Sequence, residues 1–174
     1  MFCESYLQTL IDGAASVRSH LPDFTNAAEC AASRLLDGGD LYIASVRPDF
    51  VSEGYVRSGG MMMLREYESG APSSRDVVIA SWSNTDSDAE RSLISEIGKT
   101  GAFVTGIGPE TDFSGSLDAF LPSLPSCPDT VLAHLDNNPY PIVSLQNLIL
   151  LWTFTGELVA ALTRGGTVPV MYQS

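Results

Sequence analysis

The sequence predicts an α/β fold built on one parallel sheet, and three observations carry that prediction. Short apolar, β-branched runs alternate with amphipathic stretches. Glycine, proline and cap residues fall at the boundaries between them. The segment from Asp76 to Ile107 reads strand, loop, helix, strand, which is the pattern of a right-handed βαβ crossover. The doubly wound sheet is expected to hold about five strands in a three-layer sandwich. At 174 residues, with no internal repeat and no separating linker, residues 1–174 form one domain.

Residues 1–36 read as two helices. Tyr6, Leu7, Leu10, Ile11 and Ala14 recur at helical spacing and Pro22 interrupts them; Asp23 or Thr25 then caps a second helix from Asn26 to Leu36. Asp37-Gly38-Gly39 is a fitting C-cap. Leu41 to Val46 reads as a buried strand, and Pro48 suits the first turn of a helix running to about Arg57. Gly59-Gly60 ends it, and Met61-Met62-Met63-Leu64 reads as a second strand with its methionines in the core. Glu68 to Arg75 is an exposed loop.

Asp76 to Ser81 is the clearest strand. A polar loop, Trp82 to Ser87, leads to a helix with Ala89, Leu93, Ile94 and Ile97 on its apolar face. Gly101 stops the helix, and Ala102 to Ile107 is the next strand. Residues 108–128 read as irregular, Thr130 to His134 as a fifth strand, and Asp136 to Pro141 as a turn. A closing helix over 144–163, apolar on most faces, is expected to pack on two sides, the sheet and a second subunit.

Composition narrows the function. Hydrophobic residues make up 44% and charged ones 17%, a globular balance. A net charge of −12 with nine basic residues excludes the usual electrostatics of nucleic-acid binding. Cys3, Cys30 and Cys127 lack metal or redox spacing and read as buried or incidental thiols of a reducing compartment. The acidic start is unlike a signal peptide. The most apolar stretch, Leu148 to Phe154, is shorter than the roughly 20 residues of a membrane span. A cytoplasmic protein, off the membrane, is the expectation.

Open parallel sheets bind ligands beyond the carboxyl ends of their strands. That selects Ser45 to Pro48, Ser81 to Ser87 and the stretch after His134. The middle segment sets four hydroxyls between a strand end and a helix start, where free amides and the helix dipole suit a phosphate. Ser83, Thr85 or Ser87 capping the helix explains the same composition. Glu110-Thr111-Asp112 and Asp86-Ser87-Asp88 lack the length and closing glutamate of a calcium loop, and no metal or cofactor is expected. Gly106-Ile107-Gly108 is only a fragment of a dinucleotide fingerprint, and no Gly-x-Ser-x-Gly elbow is present.

Ser81-Trp82-Ser83-Asn84 resembles the Ser-x-Ser-Gly-like loop of SIS (sugar isomerase) domains, with Asn84 in place of the glycine. Ala28 to Ile43 is similar to that family's entry of alanine-rich helix, glycine pair and first strand. Glu53-Gly54-Tyr55-Val56-Arg57-Ser58-Gly59-Gly60 resembles a Glu-x-x-x-Arg-Ala-Gly-Gly segment of some members, relatives of phosphoheptose isomerase included. Gly156-Glu157-Leu158 falls where the closing helix lies. The likeness implies a sugar phosphate as ligand, bound by Ser81, Ser83, Asn84, Thr85 and Ser87; position at the end of the first strand, and not the likeness, makes Ser45 and Arg47 expected contacts from the first loop. The likeness also implies a homodimer or homotetramer, and Glu53 as base in aldose–ketose isomerisation. An ordinary i,i+4 pair of Glu53 with Arg57 remains the alternative.

The chain departs from the family twice. Ala44-Ser45-Val46-Arg47-Pro48 replaces the Gly-x-Gly-x-Ser first loop, where Arg47 is placed to supply charge. Gln146 and Asn147 stand where phosphoheptose isomerases carry a histidine, leaving His134 as the nearby substitute. Three readings follow. The first is a phosphosugar-binding protein without strong catalysis, the second an isomerase using Glu53, and the third a dimeric scaffold with a vestigial site.

Overall fold

Strand-forming runs and the helices between them settle into one sheet with the order β2-β1-β3-β4-β5, every pair parallel. The computed structural model describes residues 2–57, 59–83, 88–123 and 142–172. Its strands are β1 (Leu41–Ser45), β2 (Leu64–Glu66), β3 (Val77–Ser81), β4 (Phe103–Gly108) and β5 (Ala119–Pro122). Its helices are α1 (Phe2–Ser16), α2 (Leu21–Leu36), α3 (Pro48–Tyr55), α4 (Asp88–Gly98) and α5 (Ile142–Arg164). The expected doubly wound, three-layer α/β architecture is the one observed.

Alternation along the strands divides the core in two. Leu41, Ile43, Val77, Ile79, Phe103, Ile107 and Leu121 face α2, α3 and α5. Tyr42, Ala44, Val78, Ala80 and Val104 face α4, where Ile94 and Ile97 meet them with Trp82. α5 is long and apolar enough to cross a membrane by length and composition. Leu150, Leu151, Phe154, Leu158 and Leu162 are nevertheless buried in the larger core, so it serves as a central packing helix. Its 23 residues also correct the span inferred from Leu148 to Phe154 alone.

The amino-terminal edge of the sheet is held by aspartates. The Asp76 carboxylate accepts the N–H of Asp40 at 2.7 Å, the N–H of Ser73 at 2.7 Å and the Ser73 hydroxyl at 2.8 Å. Asp118 accepts the Val104 N–H at 2.8 Å, and Asp40 meets Arg65 at 2.8 Å. Burial by itself pushes the Asp76 carboxyl up, but these donors, with Arg75 nearby, outweigh it and hold it below the usual carboxylate range. α2 ends in a Schellman motif, the Gly39 N–H reaching Arg34 O and Gly38 N–H reaching Leu35 O, with Gly38 at φ +89.

Several expectations change. Pro22 opens α2 rather than separating helices, because a first-turn proline loses no intrahelical bond. α2 therefore begins at Leu21, five residues before Asn26, and neither Asp23 nor Thr25 caps it. Leu7 and Ile11, which carry the helical spacing of α1, are exposed. Met61 to Met63 form a turn closed by Leu64 N–H on Met61 O, and the strand starts only at Leu64. Met61 is buried and bridges Met171; Met62 is exposed. The segment read as irregular holds β5, a four-residue edge strand that ends on Pro122, a residue tolerated at an edge. Thr130 to His134 and Cys127 lie outside the described residues. Cys30 is exposed rather than buried.

Candidate functional site

β1 runs on to β2 on one side and β3 to β4 on the other, so the chain diverges between β1 and β3. In such sheets the crevice for a ligand opens there, at the carboxyl ends. Ser45 ends β1, Ser81 ends β3, and the first turns of α5 lie across both. Arg47, Phe50, Ser81, Ser83, Ser144 and Asn147 line the crevice.

Arg47 spans it. Its Nη1 donates to Ser83 Oγ at 3.4 Å and its Nη2 to Ser144 Oγ at 3.2 Å, while Nε faces Asp49 at 3.5 Å. Ser45 Oγ accepts the Arg47 N–H at 3.1 Å and so fixes the turn that aims the side chain. With the guanidinium in this position the enclosed space is about 10 Å³, room for roughly one water. A larger ligand requires Arg47 to move. Its side chain is half-exposed.

Ser83 is buried, and its N–H and Oγ both donate to Glu90 Oε1, at 3.0 and 3.3 Å. Glu90 itself is 3% exposed in the first turn of α4. The helix thus turns Glu90, Ile94 and Ile97 inward and leaves Ala89 exposed, correcting the apolar face read from the sequence. Asn147 Nδ2 donates to Ser81 Oγ at 3.0 Å and to Trp82 O at 2.8 Å, which ties α5 to the end of β3. Among the described residues, Asn147 Oδ1 is buried without a hydrogen-bond partner, as are both amide atoms of the neighbouring Gln146 and Ser123 Oγ. Buried polar atoms are seldom left so; Asn147 borders the crevice, whereas Gln146 and Ser123 border a separate small cavity against α1.

Trp82 opens the loop after β3 but belongs to the core. It is fully buried, its Nε1 donating to Pro109 O at 2.8 Å and its ring packed on Phe113 and Phe120. Gly106 and Gly108 make room for it: a Cβ on either would come within 2.8 and 2.6 Å of the indole. The glycines that look like a dinucleotide fragment seat a tryptophan.

Among the residues singled out from the sequence, Arg47, Ser81 and Ser83 converge on the crevice, with Ser45 supporting the turn. Asn84, Thr85, Ser87 and His134 lie outside the described residues. Glu53 does not line the crevice. Its carboxylate sits on Arg57 at 2.6 Å and takes Trp152 Nε1 at 3.3 Å. Asp112, of the acidic pair near Glu110, receives Arg91 at 2.8 Å. Glu90, Ser144 and the orphaned acceptor of Asn147 were missed. Two amides in an otherwise apolar helix were the available signal for the last of these.

A five-stranded parallel sheet between helical layers, with a polar crevice at its switch point, defines a doubly wound α/β protein. No family model matches the chain, and no curated protein does. Solved structures do. A proposed sugar-phosphate isomerase of Listeria monocytogenes superposes with TM-score 0.57 at 14% identity, over 95% of this chain and 91% of that one. A hypothetical protein gives 0.59 at 13% identity, over 90% and 89%. The C-terminal domain of glucosamine-fructose-6-phosphate aminotransferase from Francisella tularensis gives 0.54 at 12%, covering 95% of this chain and 44% of that one. The likeness is one of fold.

Proposed function

We propose that this chain is a soluble, cytoplasmic phosphosugar-binding protein of SIS type that uses the β1–β3 crevice and lacks strong isomerase activity. The observation that carries the reading is Arg47, a guanidinium set at the switch point against the hydroxyls of Ser83 and Ser144. A planar cation beside serine donors is suited to phosphate. Asn147 Oδ1 offers a buried acceptor for a sugar hydroxyl. The structural neighbours named for sugar phosphates support this choice of ligand. Binding is favoured over isomerisation because Glu53 is engaged by Arg57 and Trp152 away from the crevice lining.

The test is thermal stabilisation by a panel of sugar phosphates and their unphosphorylated counterparts, on wild type, Ser83→Ala and Arg47→Ala. A phosphate-dependent rise in Tm, lost in both variants, is expected. Stabilisation at a hundred times Kd is about 2.7 kcal/mol, well within detection. A panel without effect at millimolar concentration sinks the reading and brings the scaffold forward.

Association as a homodimer or homotetramer belongs to the same proposal. Leu10, Leu145, Leu148, Ile149 and Trp152 line an open apolar groove of about 620 Å³ between α1 and α5, with exposed Ile11 nearby on α1. Light scattering of wild type and Ile11→Glu tests it: an assembly that the charge dissociates is expected, and a monomeric wild type overturns it.

A further inference from the structure

We propose that Glu90 is the chain's own occupant of the anion seat, and that phosphate binds by exchange, taking Ser83 from Glu90. The inference rests on the phosphosugar-binding reading above and adds what controls that site.

A serine hydroxyl has one proton to give. Arg47 Nη1 approaches Ser83 Oγ as a donor at 3.4 Å, so Oγ accepts there and directs its proton to Glu90 Oε1, 3.3 Å away. The Ser83 N–H goes to the same carboxylate oxygen at 3.0 Å. Both donors that Ser83 could offer a phosphate are therefore committed to a carboxylate. That carboxylate is 3% exposed, held by the fold and not by chance on a surface.

The charges agree. Arg47 sits between Asp49 on its Nε and, across one hydroxyl, Glu90. Among the described residues, one guanidinium stands against two carboxylates at the seat. An arriving dianion that merely added itself would face Glu90 through a single serine. If Glu90 withdraws, the same dianion finds two donors already oriented, in the place where a carboxylate oxygen had kept them. Glu90 thus preserves the seat in its binding shape while ligand is absent. It also sets a threshold that weakly charged anions do not cross.

Calorimetric titration of inorganic phosphate into wild type and Glu90→Gln tests the exchange. Glutamine keeps a carbonyl for the Ser83 N–H and removes the charge; the melting temperature of the free variant reports whether it folds. Removing one like charge at this range is expected to tighten binding about tenfold. On wild type alone, NMR gives an independent readout: phosphate should shift the Ser83 amide and the Glu90 carboxyl carbon together. Equal or weaker binding by folded Glu90→Gln overturns the exchange and leaves the binding function standing. So do silent Ser83 and Glu90 signals while the Arg47 guanidinium signals move. If phosphate binds neither protein at millimolar concentration, the phosphosugar reading falls and the exchange falls with it.

Discussion

The two edges of the sheet are built on opposite rules. At the amino-terminal edge, aspartates precede β1, β3 and β5, and their carboxylates take backbone N–H groups or an arginine at 2.7 to 2.8 Å. At the carboxyl-terminal edge, serines end β1 and β3 and follow β5. The bonds there run from 2.8 to 3.4 Å, and Asn147, Gln146 and Ser123 keep buried atoms unpartnered. One edge is closed, its polar groups spent on holding strands. The other retains polar capacity, which costs stability and suits reception of a ligand.

Asp76 should give the largest effect. Asp76→Ala strips the Asp40 and Ser73 N–H groups of their charged acceptor and is expected to cost about 3 kcal/mol, read by urea unfolding. Because the folded Asp76 carboxyl is held below its ordinary value, its contribution is whole above about pH 5. It drains as pH falls through the folded value, so acid should narrow the gap between wild type and variant. A gap that stays constant down to pH 2 would refute the closed-edge account. Gly108→Ala comes next and probes a structural part of the carboxyl edge, the seat of Trp82. Its Cβ would stand 2.6 Å from the Trp82 indole, for a loss of about 1–3 kcal/mol.

Gln146→Met should move stability the other way. It replaces a buried amide that has no partner with an apolar chain of similar shape, worth about 1 kcal/mol of gain. A loss instead would mean that the amide is satisfied in solution. Glu53→Gln is the smallest, within about 0.5 kcal/mol, because glutamine keeps an acceptor for Trp152 Nε1 and the i,i+4 partner Arg57 is exposed, with phosphosugar-dependent stabilisation intact. Abolished stabilisation would draw Glu53 into the site and revive the isomerase.

The sequence made the middle of the fold plain and its margins obscure. β1, β3 and β4 are buried on both faces and so read as mainly apolar runs, with Thr105 inside β4. β2 and β5 are edge strands of three and four residues, too short for periodicity to register, and a proline closes one of them. In the site, the strand-end rule found Arg47, Ser81 and Ser83. It could not find Ser144 or Asn147, which the fold brings to Arg47 from 97 residues away and to Ser81 from 66. Glu90 read as part of a solvated helix face because charge usually is solvated; the buried donors of Ser83 lie among the groups that receive it inside. Trp82 was hidden similarly, since a tryptophan among serines and asparagine looks like loop until the two facing glycines are seen.

The same tryptophan has an optical consequence. Only two indoles are present, and their surroundings differ sharply. Trp82 is sealed between Phe113 and Phe120, and its carbonyl is bound to Asn147 at the crevice wall. Trp152 lies half-buried on the apolar groove. Trp82 should emit toward the blue and respond when Ser83 changes partner, whereas Trp152 should emit toward the red and respond when copies associate. Fluorescence from the unlabelled protein can therefore separate occupancy of the crevice from assembly of the chain, each in its own wavelength range.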